Sequence, residues 1–263
     1  MSAVPEPNAI ETLGLTRMFG DQCAVDHVDL KVARGTFYGF LGPNGAGKST
    51  TIKMLTGLLA PSEGAISILG MNPFDADQSL EIKRRIGVVP EDLSLFDNLT
   101  GREYLMFIGR MFSLEKSVIE KRSDELLAMM NLDQEHRKLT LEYSHGMKKK
   151  LALAAAILPD PDLLFLDEPF EGVDAVTSRV IRETLSGFTS RGSTVFLTSH
   201  VLEIVEKLCT HVGIIAEGKL VEQSALADLR PGSGHSLEDI FLEVVGQSDE
   251  PPQKLSWLEG SEA

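Results

Sequence analysis

Apolar and polar positions divide this chain into three stretches with different periodicity. In the first, short apolar runs of strand length are separated by polar turns, and they predict strands at Ile10–Leu15, Val25–Val32, Thr36–Leu41, Ala65–Leu69 and Ile86–Val89. In the second, apolar residues recur every three or four positions, and they predict helices at Gly101–Phe112, Lys116–Asn131 and Ser144–Leu158. The chain therefore begins β-rich and becomes helical near residue 100.

The third stretch alternates between strand and helix, which is typical of a parallel sheet covered by helices. Strands are predicted at Leu163–Leu166, Thr194–Leu197 and Val212–Ile215, and helices at Val176–Arg191 and Val201–Leu208. After a turn at Glu217-Gly218-Lys219, short helices are predicted at Ser224–Leu229 and Ser236–Val245.

These patterns predict one α/β domain over residues 1–245, followed by a flexible acidic tail at 246–263. We expect its core at residues 1–95 and 159–230, an inserted helical subdomain at 96–158, and C-terminal helices within 224–245. The N-terminal strands should form a β region beside the sheet.

The net charge argues against a nucleic-acid partner. It is −14, from 39 acidic and 25 basic side chains, whereas binding to nucleic acid depends on clustered Lys and Arg. We therefore expect no nucleic acid among the partners. No apolar run approaches the roughly 20 residues of a spanning helix, and the first residues do not resemble a secretory signal, so we expect a cytoplasmic protein. Cys23 and Cys209 lack metal-ligand spacing and are predicted to be reduced core residues.

One segment predicts phosphate binding. It lies between a predicted strand and helix, and it consists of Gly42, Pro43, Asn44, Gly45, Ala46, Gly47, Lys48, Ser49 and Thr50. Its glycines allow backbone N–H groups to converge on phosphate oxygens, its lysine adds a positive charge, and its serine hydroxyl suits Mg²⁺. The alternative is a glycine-rich turn without a ligand.

Two strand ends carry further candidate groups. Asp167 and Glu168 follow an apolar strand, where a doubly wound sheet places its ligands. Asp167 is the candidate for the magnesium water shell, and Glu168 is the candidate base for the water that attacks the γ-phosphate. His200 follows the next strand and is a candidate γ-phosphate contact. A solvated Asp-Glu turn and a structural histidine are the alternatives.

The segment Tyr143-Ser144-His145-Gly146-Met147 begins a predicted helix, with Ser144 suited to cap it. This segment resembles the signature element of the ATP-binding-cassette (ABC) ATPases. Together with the phosphate loop, the Asp-Glu strand, Gly172-Val173-Asp174 and His200, it extends the resemblance to this family over nearly the whole chain. The resemblance implies an α/β P-loop NTPase fold with a RecA-like parallel-sheet core, an N-terminal antiparallel β region and an inserted α-helical subdomain.

The same resemblance implies the ligands and partners. They are ATP and Mg²⁺, an integral-membrane permease, and a second ATP-binding subunit, the same or different, whose Ser144 and Gly146 equivalents complete the site. Phe19 stands where the family stacks an aromatic ring on adenine; the alternative is a core or edge phenylalanine.

Three positions depart from the family pattern. Glu91 replaces the loop glutamine that touches the metal's water shell, and His145 replaces a signature glycine. Ala175 replaces the proline that follows Asp174, a change that affects local stiffness more than chemistry. His145 is either an added donor to ATP or a surface histidine. The lysines at 148–150 cannot share one helix face and are predicted to be mostly solvated.

The sequence thus predicts a cytoplasmic ATPase on the inner face of the cell membrane, which powers export through a separate permease. The export interpretation rests on the Ser-x-Gly-Met-Lys signature, the Pro-Glu loop and residues 236–242. The alternative is a soluble ABC-type ATPase or an ATP-gated regulatory module not coupled to transport.

Overall fold

The computed structural model describes residues 8–229 and 237–245. Its strands are β1 (Ile10–Phe19), β2 (Gln22–Val28), β3 (Lys31–Val32), β4 (Phe37–Leu41), β5 (Glu63–Ile68), β6 (Ile86–Val89), β7 (Leu163–Asp167), β8 (Thr194–Ser199), β9 (His211–Ala216) and β10 (Lys219–Ala225). Its α-helices are α1 (Lys48–Leu55), α2 (Ser79–Arg85), α3 (Gly101–Met111), α4 (Lys116–Met129), α5 (His145–Ile157), α6 (Ala175–Thr189), α7 (Leu202–Leu208) and α8 (Leu237–Val245).

The strands form two sheets. The larger has the order β10-β9-β4-β8-β7-β6, in which β10 pairs antiparallel with β9 and the other neighbouring pairs are parallel. The smaller is antiparallel, with β1 pairing to β2, β3 and β5. The predicted parallel-sheet core and antiparallel β region are both confirmed.

The central strands are buried on both faces, which explains their nearly continuous apolar sequences. On one face, the ring of Phe196 lies 5.4–5.8 Å from the rings of Tyr38, Phe40 and Phe165. Alternate residues, such as Leu197, pack on the opposite face with the helices.

The sheet register gathers the chemistry at one edge. Leu41, the last residue of β4, pairs with Ser199 at the end of β8, and Asp167 at the end of β7 pairs with Thr198. Because these strands are parallel, the segments that follow them leave the sheet side by side.

Helices α3, α4 and α5 pack against one another beside this sheet. The start of α3 is fixed by a capping box, in which the Thr100 hydroxyl accepts from the Glu103 N–H and the Glu103 carboxylate accepts from the Thr100 N–H. At Gly109, an added Cβ would lie 2.6 Å from Ile119, so glycine permits the close approach of α3 to α4.

Several predicted elements need correction. The helix predicted at Ser224–Leu229 is wrong: Ser224 and Ala225 pair with β9 as the end of β10, and residues 226–229 form turns. Hairpin pairing after the turn at Glu217-Gly218, both at positive φ, therefore outweighs the helical pattern. The predicted strand Val25–Val32 divides into β2 and β3, and α2 was not predicted.

The predicted helix Ser236–Val245 begins at Leu237 in the structure, and Ser236 lies outside the described residues. The predicted tail at 246–263 also lies outside them. Within residues 8–229 and 237–245, none of the helices combines the length and apolar character needed to cross a bilayer.

Candidate functional site

The phosphate-loop segment connects β4 to α1, as predicted. Nζ of Lys48 donates to the carbonyls of Gly42 at 2.7 Å and Pro43 at 3.2 Å, so the lysine side chain folds back over its own loop. At Gly47, φ is +107°, and an added Cβ would lie 2.5 Å from the Ala24 carbonyl oxygen. An added Cβ at Gly42 would lie 2.4 Å from the Ile215 carbonyl oxygen. Both positions therefore require glycine.

This loop forms the wall of an open cleft of about 590 Å³. The cleft is lined by Phe19, Gln22, Cys23, Ala24, Asn44, Gly45, Gly47, Lys48, Ser49, Thr50, Glu91, Glu168, Glu217 and Gly218. The cleft thus brings together Phe19, the phosphate loop, Glu91 and Glu168, which are far apart in the sequence and were all predicted site residues.

Glu168 is the buried carboxylate of the cleft, with 6% of its surface exposed. Its Oε1 lies 3.6 Å from Nζ of Lys48, an ion-pair distance beyond hydrogen-bond range, and has no hydrogen-bond partner among the described residues. Its Oε2 lies 3.0 Å from Nδ1 of His200. A buried carboxylate oxygen that makes no hydrogen bond is costly even at ion-pair distance from a lysine, which points to a ligand or water on that side.

The neighbouring Asp167 is held inside the sheet. Its Oδ1 accepts from the Thr198 hydroxyl at 2.6 Å, and the oxygen of that hydroxyl accepts from the Glu168 N–H at 3.0 Å. Thr198 therefore fixes both acidic residues at once. Motif reasoning missed Thr198, although a hydroxyl residue near the end of an apolar strand was a usable signal.

Glu91 and Ser49 face each other across the cleft, with 3.5 Å between Ser49 Oγ and Glu91 Oε2. A hydroxyl and carboxylates are the oxygen ligands that suit Mg²⁺. No cluster of three or more His, Cys, Asp or Glu side chains among residues 8–229 and 237–245 is arranged as a metal cage. These groups fit Mg²⁺ arriving with a phosphate ligand, since Mg²⁺ binds through one or two protein groups plus phosphates and water.

Phe19 lies at the end of β1 with 46% of its surface exposed, so it is not a core residue. The Arg17 guanidinium lies 4.6 Å from the centre of its ring, and Arg17 also donates to the Ala60 carbonyl. One aromatic edge of the cleft is thus supported by a cation.

The signature segment, at the start of α5, is not among the residues that line the described part of the cleft. The Ser144 hydroxyl accepts from the Met147 N–H at 3.2 Å and caps α5, and an added Cβ at Gly146 would lie 3.1 Å from the Thr177 hydroxyl oxygen. Neither Ser144 nor Gly146 lines the described part of the cleft. The exposed His145 ring lies against Gly172, 3.3 Å from an added Cβ there.

Two expectations about isolated residues are wrong. Lys149 and Lys150 are 3% and 8% exposed, not solvated, because α5 is covered on several sides. Cys23 is exposed at the cleft, and only Cys209 is the predicted core cysteine. Burial raises the pKa of the Cys209 thiol.

The cleft can therefore hold an anion near Lys48 and the loop amides, and its lining also includes an exposed aromatic ring and a buried carboxylate. Residues 25–171 match the family described as ABC transporter. The bacitracin transport ATP-binding protein BcrA of Bacillus licheniformis is 42% identical over 230 residues, which cover 87% of this chain and 74% of that protein.

Two further comparisons agree. The Nod factor export ATP-binding protein I of Cupriavidus metallidurans is 34% identical over 247 residues, covering 92% of this chain and 78% of that protein. A solved ATP binding subunit of an ABC transporter superposes with a TM-score of 0.83 at 30% identity, covering 90% of this chain and 99% of that one.

Proposed function

The chain belongs to the ABC transporter family as an ATP-binding, ATP-hydrolysing subunit, and on this premise we propose that it drives export of a substrate through a separate membrane permease. The relative named for Nod factor export supports the direction, and the relative named for bacitracin transport supports a role in transport. The permease would hold the substrate site. Since ATP is cytoplasmic, the subunit would work at the inner face of the cell membrane.

Within the cleft, Lys48 and the amides of the phosphate loop would bind the outer phosphates, and Phe19 would stack on adenine. Glu168 would orient the attacking water and accept its proton, and His200 would hold the carboxylate in place and contact the γ-phosphate. The observation that carries these roles is the buried Oε1 of Glu168, which lies at ion-pair distance from Lys48 in the cleft and has no hydrogen-bond partner among the described residues.

Ser49, Glu91 and Asp167 are the proposed magnesium contacts. Ser49 would bind through its hydroxyl, and the two carboxylates through the water shell. When bound, Mg²⁺ offsets the negative charge of the terminal phosphates. Glu91 adds a negative charge to this set, and the Thr198 hydroxyl keeps Asp167 oriented.

A second ATP-binding subunit is part of the proposal. Ser144 and Gly146 lie at the N-terminus of the 13-residue α5, where unpaired N–H groups favour an anion, but they do not line their own chain's cleft. A facing subunit would bring its signature helix to this cleft and receive the same contact in return.

A groove of about 490 Å³ beside the cleft suits the permease. Its wall includes Tyr104, Ile108 and Phe112 of the α3 region and Ala152 and Ala155 of α5. The segment that follows β6 contributes to both the groove and the cleft. Pro90 and Asp92 line the groove, whereas Glu91 lines the cleft. A short amphipathic cytoplasmic segment of the permease docked here would contact the backbone that carries Glu91.

The test is ATP turnover coupled to transport. The subunit and its permease are placed together in vesicles, and phosphate release and substrate movement are measured with and without Glu168→Gln. We expect both to depend on Glu168. Tight ATP binding with no turnover, even with the permease, would instead support an ATP-gated regulatory module.

A further inference from the structure

A buried lysine of the signature helix is bonded to the backbone of the proposed base. Lys149 lies in the second turn of α5 and is 3% exposed. Its Nζ donates to the main-chain carbonyl oxygen of Glu168 at 2.6 Å. A side chain of one element thus holds the main chain at the end of another, at the residue that faces Lys48 and His200.

The main chain at Glu168 needs such support. Its φ is +46°, in the left-handed region that non-glycine residues rarely adopt. The Glu168 N–H donates to Thr198, and its carbonyl oxygen also accepts from the Glu171 N–H at 3.2 Å. Of the contacts that hold this peptide, the one from Lys149 is the charged one, and it comes from the signature helix.

Several carboxylates surround Lys149 and favour the charged form of its ammonium group, which donates to the Glu168 carbonyl. Burial lowers the pKa of its ammonium group, and the carboxylates of Glu171, Glu168, Glu91 and Asp167 oppose that shift. The ammonium therefore offsets acidic groups at the cleft, among them Glu91, which stands where the family has an uncharged glutamine.

The next residue provides a natural comparison. Lys150 is also buried, and burial lowers its pKa, but the carboxylate that opposes the shift is Asp174 at the start of α6. The same residue type on the same helix thus lies in a similar environment without a described bond to Glu168.

We propose that Lys149 is a positioning residue for ATP hydrolysis, which fixes the Glu168 main chain and transmits the orientation of the signature helix to the base. The inference rests on the proposed role of Glu168. A rotation of α5 relative to the sheet would move Nζ of Lys149 and change the orientation of the Glu168 carboxylate. The position of the signature helix would then control turnover as well as contact with the facing subunit.

The experiment compares variants of the full chain with its permease. Lys149→Met removes the donor and the charge but keeps the length of the side chain, Lys149→Arg keeps both donor and charge, and Lys150→Met is the matched control. Steady-state kcat and KM, ATP affinity, and thermal unfolding are measured for each. Glu168→Gln is added alone and together with Lys149→Met.

We expect Lys149→Met to lower kcat about 10- to 100-fold with KM and ATP affinity within twofold, because misplacing a catalytic group by about 1 Å has effects of this size. Lys149→Arg should restore most of kcat, and Lys150→Met should behave as the unaltered chain. The double variant should turn over no more slowly than Glu168→Gln alone, since Lys149 acts through Glu168.

An unchanged kcat in Lys149→Met, or an equal loss in Lys149→Met and Lys150→Met, would overturn the inference, and so would additive losses in the double variant. If Lys149→Met does not fold, Lys149→Leu, which is shorter and also lacks both the donor and the charge, takes its place with the same expectations. Normal turnover in Glu168→Gln would refute the proposed base itself, and this result is distinct from all the others.

Discussion

Nδ1 of His200 lies 3.0 Å from Oε2 of Glu168, across the carboxyl ends of β8 and β7. The histidine side chain is 43% exposed and the carboxylate 8%. The pair therefore joins a buried carboxylate of the cleft to a half-exposed imidazole. One carboxylate oxygen is occupied by the imidazole, and the other remains available beside Lys48.

Replacing Glu168 by Gln should abolish turnover and preserve nucleotide binding. Gln keeps the shape but cannot accept a proton, and general base catalysis contributes about 10²- to 10⁴-fold. Phosphate release should fall by such a factor, while labelled ATP remains bound and paired subunits accumulate in size-exclusion chromatography. Glu171→Gln, at an exposed carboxylate nearby, is the control. Normal hydrolysis by Glu168→Gln would contradict the assignment.

Lys48→Ala should weaken ATP binding itself. The buried ammonium lies over the phosphate loop, and a hydrogen bond to a charged group contributes about 1.5–3 kcal/mol, or roughly 10- to 150-fold in affinity. Equilibrium titration with a fluorescent ATP analogue measures the loss. Lys53→Ala, on an exposed face of the same helix, should bind normally. Unchanged affinity in Lys48→Ala would refute the phosphate site.

Phe19→Ala should weaken binding of ATP but not of tripolyphosphate, because the ring would contact only the base. Stacking of a base on an aromatic ring contributes about 1–3 kcal/mol. Competition by each compound against a fluorescent nucleotide separates the two effects. Phe19→Trp should retain affinity, and Phe74→Ala, an exposed phenylalanine that does not line the cleft, serves as the control. An equal loss for both ligands would point to a structural role for Phe19.

Glu91→Gln should raise the Mg²⁺ concentration needed for half-maximal turnover. The substitution removes a negative charge 3.5 Å from the Ser49 hydroxyl, where the proposed metal lies. Turnover is measured across a magnesium titration at saturating ATP. Asp92→Asn removes a neighbouring charge that lines the groove instead of the cleft, so it should leave the titration unchanged. Identical titrations for Glu91→Gln and the unaltered chain would remove Glu91 from the metal site.

The two cysteines should differ sharply in alkylation. Thiolate is the reactive form, and burial raises the pKa of Cys209, so this thiol stays protonated in the native protein at pH 8. Cys23 is exposed and lines the cleft. Mass spectrometry after iodoacetamide treatment should find Cys23 modified first and should find the modification slowed by ATP. Cys209 should react only after unfolding.

Much of the site could be predicted because its chemistry is local in sequence. Gly42 to Thr50 specify a phosphate loop by residue type and spacing alone, and an acidic pair after an apolar strand indicates a sheet edge. The register that aligns Leu41 with Ser199, and Asp167 with Thr198, is specified by no residue pattern and comes from the structure.

The remaining features depend on tertiary contacts. The burial of Lys149 follows from the packing of α5 against β6 and the neighbouring helices, beside the residue that ends β7, which no periodicity in residues 145–157 encodes. The apolar pattern at the end of β10 is typical of a helix, but pairing with β9 makes this segment a strand. Helix α2 is short, with Ile82 as its buried residue, so its apolar pattern is too weak to detect.

The parallel pairing of β4 with β8 and of β8 with β7 also affects how the protein reaches its working state. The proposed phosphate-binding residues and the proposed base come from distant parts of the chain, and these ladders bring them together. Closing such large loops is slow, so the centre of the sheet should form late during refolding. Regain of ATPase activity would then report on completion of that step, and an intermediate with an intact helical region would be inactive.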